Sequence, residues 1–301
     1  MYPSSITLDL NFQGISETIA SYLIPHARGA ILIESGPGST LPNLEKALAE
    51  HGYAFPDVTD ILLTHIHLDH AGAAGYLARQ GARIYVHEFG AQHLLNPEKL
   101  LKSATRIYGD LMDALWGEFL SVPEENLVPL QGDGEIEIHG IPIRHLDTPG
   151  HARHHLSWIV DDICFTGDVG GVRLPGPRYM RLPSPPPEFH IETWRETILK
   201  FRAAGFKRIA PTHFGIFDDV DWHLDALESV LDDVERWMEA TLPHISEREA
   251  LYQPFNEWEL SRCAAAGLDE ASLHAYSLAM PVGMGADGIW RYWHKFRVTS
   301  S

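Results

Sequence analysis

Short apolar runs rich in β-branched residues fall in two blocks along the chain, and that spacing limits the folds open to it. In the first block ITLDLNF (6–12), TIASYLI (18–24), GAILIES (29–35), VTDILLT (58–64) and ARIYVHE (82–88) read as strands. Between them LPNLEKALAEHG (41–52), with Leu44, Ala47 and Leu48 at helical spacing, and AGAAGYLARQG (71–81) read as helices. A helical region over about 88–120 follows. The second block holds NLVPL, EIEIHG, IPIRHL, LSWIV and ICFTG within 126–167, then a proline-rich stretch, a helix over 188–204 and the short strand KRIAPTH (207–213). From Asp218 onward the pattern is helical. Two blocks of strands, each with helices, predict an α/β fold of two sheets packed face to face with helices outside. The expected division is a catalytic domain over 1–217 and a helical C-terminal cap over 218–301 packed on it.

VTDILLT runs directly into THIHLDH (64–70), three histidines and an aspartate in one turn of chain. In an H-x-H pair behind a strand, His65 and His67 can reach one ion. Asp69 and His70, at the start of the next helix, can serve a second. Such ligands suit zinc, iron or manganese. Three more strand ends supply partners: His151 in TPGHA, Asp168 in FTGDV and His213 in PTHFG. Each is flanked by small residues or proline, as a loop that approaches a metal closely requires. The two cysteines, Cys164 and Cys263, have no CxxC spacing, which argues against a disulfide framework and a cysteine zinc site.

THIHLDH, TPGHA, GDV and PTHFG, in that order, resemble the motif set of the metallo-β-lactamase superfamily over about residues 18–215. The resemblance implies an αββα sandwich with metals at the edge of the sheets. It places His65, His67 and His151 on one ion, Asp69, His70 and His213 on the other, and Asp168 as a bridge. The pattern is closer to the hydroxyacylglutathione hydrolase and lactonase branches than to the lactamases proper, whose second site often carries cysteine. Flavodiiron proteins have a glutamate at the position of His67. The expected activity is therefore a dinuclear metal-dependent hydrolase of esters, lactones or thioesters, with phosphoesters and phosphotriesters as neighbours. Its cofactors would be two divalent ions, zinc first and iron or manganese as alternatives. Two ions roughly 3.5–4 Å apart share a water and lower its pKa towards neutrality, giving a bridging hydroxide. Asp69 can both ligate and orient it. The alternative is a mononuclear non-haem iron oxidoreductase resembling the persulfide dioxygenases.

The proton donor to the leaving group is less obvious. Lactonases of the family place a tyrosine three residues beyond the bridging aspartate, but Gly171 stands there in this chain. Tyr179 and His190 are the candidate substitutes. His155 matches a recurrent second histidine of the hydrolase branch and is a candidate to orient a ligand, as is Asp60, five residues before His65. His154 is expected to be a solvated neighbour and His87 structural. VRLPGPRYMRLPSPPPEF (172–189) has six prolines between 175 and 187, so it is stiff and should wall the entrance. Its Arg173, Arg178 and Arg181 are candidates to meet an anionic substrate group. No clear match to the basic glutathione-binding residues of the hydrolase branch is present.

With 41 acidic against 23 basic residues, the net charge of −18 opposes a phosphate-backbone partner, so no nucleic acid is expected. No apolar stretch approaches 18 uncharged residues, so no membrane partner is expected either. MYPSSITLDL lacks the basic and apolar regions of a leader, which makes a cytoplasmic location the expectation. The expected partner is a small-molecule substrate, with a homodimer left open.

Overall fold

A computed structural model describes residues 5–298; the ends of the chain, including the first four residues of the stretch read for a leader, lie outside the described residues. The first block of strands forms one sheet: β1 (Ile6–Asp9), β2 (Ala20–His26), β3 (Gly29–Ile33), β4 (Val58–Leu62), β5 (Arg83–His87) and β6 (Leu127–Leu130), adjacent in that order. β1 to β3 meander antiparallel, whereas β3 to β6 run parallel. Parallel neighbours need crossovers. These are α1 (Leu41–Glu50), then α2 (Leu68–Ala71) with α3 (Ala74–Arg79), then α4 (Glu88–Leu95), α5 (Glu98–Tyr108) and α6 (Met112–Trp116). NLVPL, which sits with the second block in sequence, thus closes the first sheet, because the α4–α6 crossover returns it beside β5.

The second sheet holds β7 (Gly134–Ile138), β8 (Ile141–Asp147), β9 (Leu156–Val160), β10 (Ile163–Phe165) and β11 (Arg208–Ala210). Its spatial order is β11-β10-β9-β8-β7, antiparallel except for β10 with β11.

Strand alternation sorts the apolar residues into layers. Ile31, Ile33 and Leu62 face Trp158, Val160 and Phe165 across the two sheets. Leu32 and Ile61 point the other way, onto Leu44, Leu48 and Leu77. On the far side Ile159, Cys164 and Ile209 meet Trp194 and Ile198 of α7 (Ile191–Ala204) and Leu227 and Leu231 of α8 (Val220–Thr241). The result is an αββα sandwich. Burial on both faces is why β3, β9 and β10 read as continuous apolar runs rather than alternating ones.

The C-terminal region continues as α9 (Tyr252–Ala265), α10 (Glu270–Ala279) and α11 (Val282–Tyr292). Cys263, Tyr276 and Met280 close one end of the inter-sheet core, and Phe255, Ile289 and Tyr292 join the outer one. Among the described residues no helix is long and apolar enough to cross a membrane.

Candidate metal centre

THIHLDH follows β4, TPGHA lies between β8 and β9, GDV follows β10 and PTHFG follows β11, so all four loops meet at one edge of the sandwich. There the side chains form two groups. His65, His67, His151 and Asp168 make one; Asp69, His70, Asp168 and His213 make the other, each with its donor atoms within 4.8 Å of one another. Asp168 belongs to both. Its Oδ2 lies 3.4 Å from His151 Nε2, and its Oδ1 lies 3.2 Å from His70 Nε2 and 3.4 Å from His213 Nε2. Asp69 Oδ2 stands 3.6 Å from His70 Nε2 and 3.5 Å from His213 Nε2.

The remaining ring nitrogens fix which atom faces the centre. His151 Nδ1 is 2.9 Å from the Pro183 carbonyl, His213 Nδ1 2.7 Å from that of Thr18, and His70 Nδ1 3.0 Å from Glu34 Oε1. Carbonyl and carboxylate oxygens only accept, so each Nδ1 carries a proton and each Nε2 is the nitrogen turned inward, free to ligate once it carries no proton. His65 Nδ1, 3.0 Å from Thr64 Oγ1, does the same, because the Thr64 hydroxyl donates to Glu34. His67 Nδ1 lies 2.9 Å from His65 Nε2 and 3.0 Å from His151 Nε2, and one proton on it serves only one of these contacts. His70 Nε2, His213 Nε2 and Asp168 Oδ1 are buried with no hydrogen-bond partner. Buried polar atoms are nearly always paired. Three orphaned polar atoms aimed at one another, next to a second cluster of imidazole nitrogens, are a donor set that fits a divalent transition-metal ion in each group.

Charge is divided unevenly between the groups. Burial and then the neighbouring histidines push His65 well below its ordinary pKa, and burial above all takes His67 down to about 3. Burial also lowers His151. Burial acts on His70 and His213 too, but the Asp69 and Asp168 carboxylates, with Glu34 beside His70, outweigh it and hold both high, so an ion bound there would displace a proton from each Nε2. Burial would raise Asp168, yet His70, His151 and His213 keep it well below the usual carboxylate range.

Glu34 organises this set and escaped the sequence reading. Fully buried at φ 63°, it accepts from His70 Nδ1, the Thr64 amide (3.2 Å) and hydroxyl, and the Thr212 hydroxyl (3.1 Å). Thr64 precedes His65 and Thr212 precedes His213, so one carboxylate ties the two loops THIHLDH and PTHFG together. Its only trace in the sequence is an acid closing the apolar run GAILIES. Asp60, read as a partner for a ligand imidazole, is elsewhere. It accepts from Arg83 (2.9 and 2.7 Å), Tyr85 (3.1 Å) and Thr59 (2.7 Å) and contacts His139 (3.1 Å). It sits in β4, which runs on to Leu62 before the loop that carries His65 begins, so it lies back along the strand from the ligands.

The other candidates divide in the same way. His155 is buried, stacks 5.0 Å from the His65 ring and accepts from the Val169 amide, bracing the loop that carries Asp168. Gly167 in that loop has φ 54°, and a Cβ there would collide with Thr64 and His155. His154, expected in solvent, is buried beside His67 at a ring separation of 5.8 Å. His87 is buried and caps α4 by accepting from the Phe89 amide. Neither proposed proton donor lines the metal cavity. Tyr179 is buried with its hydroxyl donating to Glu259 at 3.0 Å, because its segment turns it inward onto α9. His190 caps α7, accepting from the Thr193 amide, and its ring packs 4.5 Å from Phe296. The three arginines are also spoken for: Arg173 and Arg178 pair with Asp219 at 2.7 and 2.9 Å, and Arg181 pairs with Glu259 at 3.1 Å.

The proline-rich segment does wall the site, through its far end. A cavity of about 130 Å³ has His67, Asp69, His151 and Asp168 on its floor and Pro185, Pro186 and Pro187 on one side. Opposite stand Leu100, Ala104 and Tyr108 of α5, with Trp116 and Met284. Tyr108 was missed because it lies in a helical region without a motif. Its place at the spacing Leu100, Ala104, Tyr108 marked only a helix face.

The fold recurs in solved structures. A metallo-beta-lactamase superfamily protein from Sulfolobus tokodaii superposes with a TM-score of 0.66 at 21% identity, covering 96% of this chain and 98% of that one. A metallo-beta-lactamase family protein from Thermus thermophilus gives 0.65 at 22%, covering 97% and 93%. By sequence, a metallo-beta-lactamase fold-containing protein of Sulfurisphaera tokodaii is 28% identical over 63% of this chain and 72% of its own length. An atrochrysone carboxyl ACP thioesterase of Aspergillus novofumigatus is 25% identical over 66% of this chain, which spans 50% of that relative. A hydroxyacylglutathione hydrolase of Rhodopseudomonas palustris is 32% identical over 41% of this chain and 37% of its own length. The sequence profile of the Metallo-beta-lactamase superfamily matches residues 17–213, the stretch that carries every strand from β2 to β11 and every residue of the two donor groups, and the chain belongs to that superfamily.

Proposed function

We propose that this protein is a hydrolase that uses two divalent ions, zinc in the first instance, to cleave an ester-type bond: an ester, lactone or thioester. The observation that carries the reading is Asp168, a buried carboxylate shared by two groups of inward-facing lone pairs. His65, His67 and His151 would hold one ion, Asp69, His70 and His213 the other, with Asp168 between them. When bound, such a pair activates water near neutral pH and polarises the bond under attack. The chain supplies the rest. Glu34 and the carbonyls of Thr18 and Pro183 hold the imidazoles in the tautomer that ligates. Asp69, which also lines the cavity, can take a proton from the attacking water at Oδ1. Tyr108 lines the same cavity with its hydroxyl donating to Met284 Sδ at 2.7 Å, and on this reading that hydroxyl turns from the sulfur to give its proton to the leaving group.

The thioesterase and hydroxyacylglutathione hydrolase among the relatives support a carbonyl substrate over a phosphoryl one. Two complete donor groups support hydrolysis over a reaction at a single iron. The test is a panel of esters, lactones, thioesters and phosphotriesters on protein reconstituted with zinc or manganese. Turnover of a carbonyl ester class, abolished by a chelator and restored by metal, is expected. Oxygen uptake with one iron per chain and no ester cleavage would establish the oxidoreductase instead.

A further inference from the structure

The metal cavity opens into a larger groove of about 1300 Å³ between α5–α6 and the C-terminal helices. Ser103, Ile107, Tyr108, Trp116, Pro186 and Met284 line both, so the two form one continuous space. Its inner walls are apolar; among the residues lining the cavity above the metal ligands, only Ser103 and Tyr108 bear a hydroxyl. Along the groove Ile107, Leu111 and Tyr252 leave 45%, 59% and 52% of their surface exposed. Large apolar side chains left in water beside a cavity mark a binding surface.

The outer groove differs in charge from the rest of the molecule. Arg106, Arg248, Arg291 and Lys295 line it against two carboxylates, Glu249 and Asp287, in a chain of net charge −18. Arg248 is within 3.6 Å of Glu249 and 3.5 Å of Asp287, and Arg291 Nε donates to the Pro187 carbonyl. Arg106, exposed on α5 two residues before Tyr108, has no ion pair among the described residues. A local positive field on an acidic protein selects an anion.

On the hydrolytic reading above, we propose that the substrate is an anionic amphiphile. Its acyl or aryl body lies along the groove, its ester-type bond sits over Asp69 and Asp168, and its anionic group meets Arg106. The net charge also opposes a second copy of the chain as the occupant.

The groove can be tested separately from the chemistry, because Trp116 and Trp290 line it and report binding by fluorescence. Metal-loaded protein is titrated with decane-1-sulfonate, ethanesulfonate and decyltrimethylammonium, all below their micelle concentrations. Burying a methylene strengthens binding about fourfold. Decane-1-sulfonate should therefore bind at least ~100-fold tighter than ethanesulfonate even with only part of its chain buried, and about tenfold tighter than the cation. Arg106→Glu should erase the preference for the anion. Equal affinity for anion and cation, no gain from the longer chain, or a dimer in solution that excludes decane-1-sulfonate would each overturn the proposal. Binding as expected, with no ester or thioester hydrolysed by the same preparation, would leave the groove assignment standing and refute the hydrolytic reading.

Discussion

Replacing Glu34 with glutamine alters one buried atom and one charge, and both changes act on the metal ligands. Glu34 Oε1 takes the Thr64 and Thr212 hydroxyls and His70 Nδ1, so the amide oxygen of glutamine would keep that position. The amide nitrogen must then replace Oε2 and face the Thr64 amide, two donors at 3.2 Å. A buried donor without an acceptor costs about 1–3 kcal/mol, which should appear as lost stability of the metal-free protein. The lost charge weakens the hydrogen bond to His70 and lowers the basicity of its ring. Changes of this kind next to a ligand reduce metal affinity roughly 10–100-fold. Because the same carboxylate orients Thr64 against His65, the loss should reach both ions. Competition with a chromophoric chelator reads the affinities, and denaturant titration of metal-free protein reads the fold. Asp60→Asn is the control: it disturbs another buried carboxylate, bound to Arg83 and Tyr85, and should cost stability with wild-type metal affinity. Wild-type affinity in Glu34→Gln, or the same affinity loss in Asp60→Asn, would refute the assignment.

Asp168→Ala should lose both ions and at least ~10³-fold in kcat, since the carboxylate that offsets the repulsion between the ions is gone; retention of two ions would contradict its shared position. Tyr108→Phe should slow cleavage of alkyl esters tenfold or more while sparing nitrophenyl esters, whose leaving group needs no proton. Tyr179→Phe should leave kcat unchanged and cost about 1–2 kcal/mol of stability through the lost bond to Glu259; a leaving-group-dependent rate would restore Tyr179 to the site. His223 is buried, donates Nε2–H to the Gly170 carbonyl, and burial lowers its pKa to about 4. The fold therefore holds the neutral ring, and its contribution is complete above pH 6.5, declining as pH falls towards 4 by up to about 3 kcal/mol. His223→Gln keeps a donor without titrating, so its metal-free stability should fall less between pH 7 and 4.5; equal slopes would exclude His223 as the cause.

The loops that carry His65, His67, His151, Asp168 and His213 were legible because each ends an apolar strand, and parallel or buried strands deliver their ends to one edge of a sheet. The sandwich itself was legible from the same runs. Glu34 was not, because an acid at a strand end ordinarily faces water, and only its left-handed backbone turns it under the ligands. Asp60 misled for a related reason: closeness in sequence to His65 is distance along an extended strand. Their position after Asp168 makes Tyr179 and Arg181 look like pocket residues in the sequence. Their segment instead turns these side chains onto Glu259 and brings Pro185, Pro186 and Pro187 to the cavity. No local pattern records which side of a proline-rich loop meets a helix 80 residues later. Tyr108 reaches the site only through the packing of α5 over the cavity, which is tertiary information.

The claim that rests on most of these observations is that Asp168 joins two metal sites. Elemental analysis of the purified chain, paired with activity measured during stepwise metal return to the chelated protein, tests it directly. Close to two ions per chain, with activity that rises fully only as the second is bound, is the predicted result. A fully active protein holding a single ion would contradict the account.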